Sequence, residues 1–89
     1  DVALANVYHQ VNANKKAEQV LTQVADNAFD KIDFYLSLGS NYIGYYEREM
    51  KVEMSMVKEV LNLSQRMDLI DLKEKIQTRL DVVTSAYKQ

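Results

Sequence analysis

The chain reads as all-α, and three observations predict it. Apolar residues recur at spacings of three and four along almost all of its 89 residues. It has no proline and only two glycines. One of those glycines sits in Leu38-Gly39-Ser40-Asn41, the clearest interruption of the pattern. Glycine at a helix C′ position turns left-handed without steric cost, and a neighbouring Ser or Asn caps the next helix. The prediction is one tight corner at residues 38–41 within a single helical domain spanning 1–89.

The elements follow in order. Val2 to Val11 carries Leu4, Val7 and Val11, a short helical stripe. Asn12-Ala13-Asn14-Lys15-Lys16 is polar, and a kink or break is compatible with it. From Ala17 the stripe strengthens through Val20, Leu21, Val24, Ala28, Ile32, Tyr35 and Leu36, with Phe29 and Phe34 widening it. Asp26, Asp30, Lys31 and Asp33 occupy the flanking polar face. Beyond the corner the stripe resumes with Ile43, Tyr46, Met50, Met54, Val57, Val60 and Leu61. Glu47 and Lys51 form an i,i+4 pair in the favourable order, worth about 0.3 kcal/mol.

Ser64-Gln65-Arg66-Met67-Asp68 is a second candidate break, with Asp68 as N-cap and Asp71 complementing the next helix N-terminus. Leu69, Leu72, Ile76, Leu80, Val83 and Tyr87 then repeat in near-heptad phase, bordered by Lys75 and Arg79. Two architectures fit, both with coiled-coil-like packing. One is an up-down three-helix bundle over about 15–38, 41–64 and 68–88 with an N-terminal helical arm, its helices matched at roughly 30–36 Å. The other is a long antiparallel hairpin, residues 2–38 against an unbroken 41–88. A lone hairpin buries one seam per helix and needs a partner to be stable.

Composition narrows the function classes. At this length roughly 60% of the unfolded surface is buried, which makes an isolated fold marginal to moderate in stability. Eleven Lys and Arg against thirteen Asp and Glu are interspersed, giving a net charge of −2. The basic footprint of a nucleic-acid binder is missing, and no polybasic stretch suits an anionic lipid surface. The absence of cysteine removes disulfide and thiolate chemistry. No run of about 18 apolar residues exists, so no membrane span is expected. The start at Asp1 and the helical phase that continues to Gln89 lead to the expectation of a chain processed or excised from something longer.

Candidate chemistry is sparse. His9 is the only histidine, with no Glu-x-x-His or His-x-x-x-His spacing around it, so a boundary residue is expected rather than a ligand or base. Glu49 with Glu53, and Asp26 with Asp30 and Asp33, share helix faces, but a di-iron bundle needs two histidines among inward carboxylates. Gly-rich phosphate loops, EF-hand loops and nucleophile elbows are absent. No enzyme, metal or cofactor is therefore expected.

The aromatic residues carry more. Tyr42, Tyr45 and Tyr46 follow the corner; Phe29, Phe34 and Tyr35 precede it. Positions 42, 45 and 46 span more than one core stripe, so Tyr35 and Tyr46 are expected to close the core while Tyr42 and Tyr45 project as contact anchors. Met56 lies off the stripe that holds Met50 and Met54. The expected function is a non-enzymatic structural or interaction module that packs helices against itself or a partner protein. The expected interface residues are Tyr42 and Tyr45, with Leu69, Leu72, Ile76, Leu80, Val83 and Tyr87 of the last helix. The alternative is a small carrier of an apolar ligand or cofactor, with a pocket among Tyr35, Tyr42 and Tyr46.

Leu21, Val24, Ala28, Ile32, Met50, Val57, Leu61, Leu72, Ile76, Leu80 and Val83 are the predicted core. Truncating Leu21, Leu61 or Ile76 to Ala should cost about 2–5 kcal/mol in denaturant unfolding. A loss below about 0.5 kcal/mol at all three sites would mean the assigned face is wrong.

Overall fold

The computed structural model describes residues 2–11 and 13–88, excluding the side chains of Ser40, Ile43, Tyr87 and Lys88. Asn12, within the predicted polar break, and the Tyr87 side chain, within the predicted interface, lie outside the described part. Helix α1 spans Val2–Gln10, α2 Asn14–Ser37, α3 Ser40–Ile43, α4 Glu47–Arg66 and α5 Ile70–Lys88. A 3₁₀ turn, Gly44–Tyr46, joins α3 to α4, and no strand occurs among the described residues. The architecture is the three-helix bundle with an arm, and the unbroken 41–88 helix of the alternative does not form. Helices α2, α4 and α5 run up, down and up, and α1 packs against α2.

The core explains the arrangement. Ala17, Leu21, Ala25, Ala28, Phe29 and Ile32 of α2 are buried against Met50, Val57, Val60, Leu61 and Leu63 of α4 and Leu72, Ile76, Leu80 and Val83 of α5. Full burial of each large side chain contributes about 1.5–3 kcal/mol. Every predicted core residue is buried except Val24, which is half-buried on the rim beside Val20. The inward face of α2 is rotated toward Ala25 and Phe29 because two long helices, not one, must be seated on it. Among the described residues Ser64 is the one buried polar residue, and its hydroxyl donates to the Leu61 carbonyl at 2.7 Å.

Helix α1 departs from expectation. Its Leu4-Val7-Val11 stripe faces outward, whereas Ala5 is buried and Val2 and Tyr8 pack on the core. A small side chain on the contacting face allows the short helix to approach α2 closely. The Lys16 ammonium lies 5.7 Å from the centre of the Tyr8 ring and ties the arm to the start of α2. The molecule is a rod of 46 × 20 × 15 Å with a radius of gyration of 13.9 Å, against about 12 Å for a compact domain of this length.

The two joints are built differently. At the corner Gly39 has φ 92° and ψ 164°, a region only glycine occupies freely. Gly39 is itself the N-cap of α3, so the predicted Ser or Asn side-chain cap is replaced by a residue without one. The α4–α5 joint is a Schellman turn. Asp68 N–H donates to Gln65 O at 3.2 Å and Leu69 N–H to Ser64 O at 2.9 Å, with Leu69 and Leu63 both buried beside it. Asp68 therefore occupies the left-handed C′ position at φ 57°, not the N-cap of α5 that its sequence context predicted.

These backbones give opposite predictions for similar substitutions. A Cβ at Gly39 meets nothing within 4 Å, so Gly39→Ala should cost about 1–3 kcal/mol for conformational reasons only. Gly44 has helical φ −60° and ψ −34° and the same open surroundings, so Gly44→Ala should gain about 0.4–1 kcal/mol. Asp68→Gly should also stabilise, by about 1 kcal/mol. Urea unfolding of the three variants checks all three signs.

Candidate functional site

The corner divides its rings into an inner and an outer set. Tyr35, from the last turns of α2, and Tyr46, from the end of the 3₁₀ turn, stack with centroids 5.0 Å apart and planes 23° apart. Both are half-buried, and Tyr35 packs on the core, so this pair closes the end of the bundle. Tyr42 of α3 and Tyr45 of the 3₁₀ turn lie outside it, 53% and 79% exposed, with centroids 6.3 Å apart. The short α3 and the tightened turn that follows replace a continuous helix here, and this change of winding separates 42 and 45 from 46. Phe34, expected to widen the core stripe, is instead 59% exposed and meets the edge of Tyr35 at 5.8 Å. Only Phe29 of the two phenylalanines is inside.

Helix α4 also exposes apolar side chains. Val52 and Met56 are exposed at i,i+4 spacing. Val52 borders a shallow groove with Lys31, Tyr35, Arg48, Glu49 and Glu53. Lys31 meets Glu53 at 3.6 Å across the α2–α4 boundary, and Lys51 meets Glu47 at 3.2 Å as the i,i+4 spacing predicted. The contribution of Val52 was not evident from sequence because it lies off the 3.6-residue stripe and resembles an ordinary surface residue.

The last helix is a different case. Leu69, Leu72, Ile76, Leu80 and Val83 are buried within this chain's own bundle, so they are not an outer surface in this arrangement. Their apolar periodicity marks the seat of α5 on α2 and α4. Arg79 fixes that seat. Its guanidinium lies 4.3 Å from the centre of the Phe29 ring, with Nη1 3.3 Å from Asp26 Oδ1 and Nη2 3.4 Å from Asp33 Oδ2. One planar cation thus bridges two carboxylates about two turns apart on α2 over an aromatic face. Sequence reading assigned Arg79 to the border and the aspartates to the polar face, but it had no means of pairing positions 53 residues apart.

His9 is half-buried at the end of α1, its Nδ1 3.3 Å from Asn14 Oδ1, where the Nδ1-protonated ring donates. No group of three or more His, Asp or Glu able to hold a metal ion occurs among the described residues. No helix of the structure is long and apolar enough to cross a membrane. In comparisons with known proteins, no family model, curated protein or solved structure matches the chain. The class defined by the fold is an all-α three-helix bundle with a short helical arm.

The Arg79 contacts predict a measurable stability term. Asp26 and Asp33 are substantially exposed, so screening limits each ion pair to under about 1 kcal/mol, and the stacked cation adds a similar amount. Arg79→Ala should lower unfolding stability by about 1–2 kcal/mol. Arg79→Lys should restore only part of that, because a single ammonium does not reproduce the planar fork. Equal stability of all three proteins in denaturant titration would show that the contacts contribute nothing.

Proposed function

We propose that the chain is a non-enzymatic interaction module that works by helix packing with itself or with another protein, using the aromatic corner as its contact. The observation that carries this reading is the projection of Tyr42 and Tyr45 from a corner whose core is already closed by Tyr35 and Tyr46. Exposed rings with polar tips, together with the exposed Phe34 and Val52, have the composition of contact anchors. No catalytic residue, metal, cofactor or nucleic acid is part of the proposal.

The carrier alternative has weaker support. A ligand held among Tyr35, Tyr42 and Tyr46 needs space between them, and the Tyr35–Tyr46 stack fills that place.

Replacing both Tyr42 and Tyr45 by Ala tests the reading. Sedimentation across a concentration series, or binding to native neighbours, should weaken by about tenfold or more, while far-UV circular dichroism stays unchanged. Unchanged association in the double variant rejects the corner as the contact.

A further inference from the structure

The α4–α5 joint reverses the chain in three residues, Met67 to Leu69, using a non-glycine residue in the left-handed region. Asp68 is the only such residue among those described. Nothing in Arg66-Met67-Asp68-Leu69-Ile70 obliges the chain to turn. Neither Gly nor Pro is present, and Arg, Met and Leu are good helix formers.

The hydrogen bonds of the joint are also exchangeable. In the turn, Asp68 N–H donates to Gln65 O and Leu69 N–H to Ser64 O. In a continuous helix the same two donors would use the same two acceptors with partners swapped, Asp68 to Ser64 and Leu69 to Gln65. Straightening loses neither bond. It adds helical partners for the first N–H groups of α5, which have none within their own helix in the turned form.

What straightening removes is the seat of α5: the burial of Leu72, Ile76, Leu80 and Val83, and the contacts of Arg79 with Phe29, Asp26 and Asp33. A second copy offers an identical seat. Because α4 and α5 are antiparallel neighbours, two straightened copies can align their long helices antiparallel about a two-fold axis near residue 68. Each α5 then meets the α2 and α4 of the other copy in the same sense as before.

We propose that this chain self-associates by exchanging α5. In the exchanged dimer Met67–Leu69 straighten, α4 and α5 become one helix about 63 Å long, and each α5 occupies the other copy's bundle. This deepens the self-association part of the interaction-module reading and rests on that part, independently of the corner contact, naming the partner as a second copy and the exchanged segment as α5. A short reversed joint under strain is the feature that favours such exchange, and here the strained residue is identified.

The test refolds the full chain at low and high concentration as wild type, Asp68→Ala and Asp68→Gly, and measures mass in solution. Alanine disfavours the turned joint and glycine favours it. Asp68→Ala should move the monomer–dimer equilibrium about tenfold or more toward dimer, and Asp68→Gly by a similar factor toward monomer. A dimer made from isotope-labelled and unlabelled wild-type chains should give intermolecular NMR contacts between Phe29 and Ile76, which border the same small gap within one chain. That readout does not depend on either variant folding. The proposal is overturned if both variants match wild type, or if the Phe29–Ile76 contacts are purely intramolecular. Dimers insensitive to Asp68 but abolished by the Tyr42 and Tyr45 replacements would overturn exchange and leave the corner reading standing. Exchange detected in a protein whose association ignores those tyrosines would reject the corner and uphold the exchange.

Discussion

Helix α2 is the element on which the rest depends, because α1, α3, α4 and α5 all pack against it. One helix can seat this many neighbours only if its surface is divided between close approach and large-volume filling. Ala17, Ala25 and Ala28 allow backbones near, while Leu21, Phe29 and Ile32 fill the space between them. A larger residue at one of the alanines would hold a neighbour away and open a gap along the seam, at a cost of about 1–3 kcal/mol for overpacking. The rim of the same helix supplies Asp26, Lys31 and Asp33 to the ion pairs that fix α4 and α5 laterally.

Much of this was legible in the sequence, for identifiable reasons. Gly39 marks its corner because a left-handed turn with ψ 164° leaves little choice of residue. The buried face of α4 and α5 follows the 3.6-residue period closely, since Met50, Val57, Leu61, Leu72, Ile76, Leu80 and Val83 face one enclosed axis. The α4–α5 joint was harder to read. Its Schellman turn carries Asp68 where glycine is usual, so the strongest stop signal is absent and an unbroken helix is an equally reasonable reading. The α2 face was misplaced by a fraction of a turn because hydrophobicity weights Val20 and Val24 above Ala25, whereas packing favours the smaller residue. In α1 the Leu4, Val7 and Val11 stripe marks the helix but not its buried face, which is set by Ala5.

The candidate contact surface was partly visible. Three tyrosines within five positions, 42, 45 and 46, cannot all face one axis, so outward rings follow from helical geometry. Which rings turn outward depends on the short α3 and the 3₁₀ turn, and neither has a distinctive sequence signature. Arg79 illustrates the remaining difficulty. A cation on a polar border looks like any solvated residue until the fold brings Phe29 and two aspartates beneath it.

The 53-residue separation between Arg79 and Asp26 also bears on the order of assembly. The α1–α2 and α4–α5 contacts join neighbouring segments and require only small loops to close, which makes them kinetically accessible early. The clasp on α2 closes a much longer loop, whose entropic cost is correspondingly larger. Until it closes, the groove that receives α5 is open to any chain nearby. The connectivity thus makes the seat of α5 the contact whose closure costs the chain more entropy than the joints between neighbouring helices.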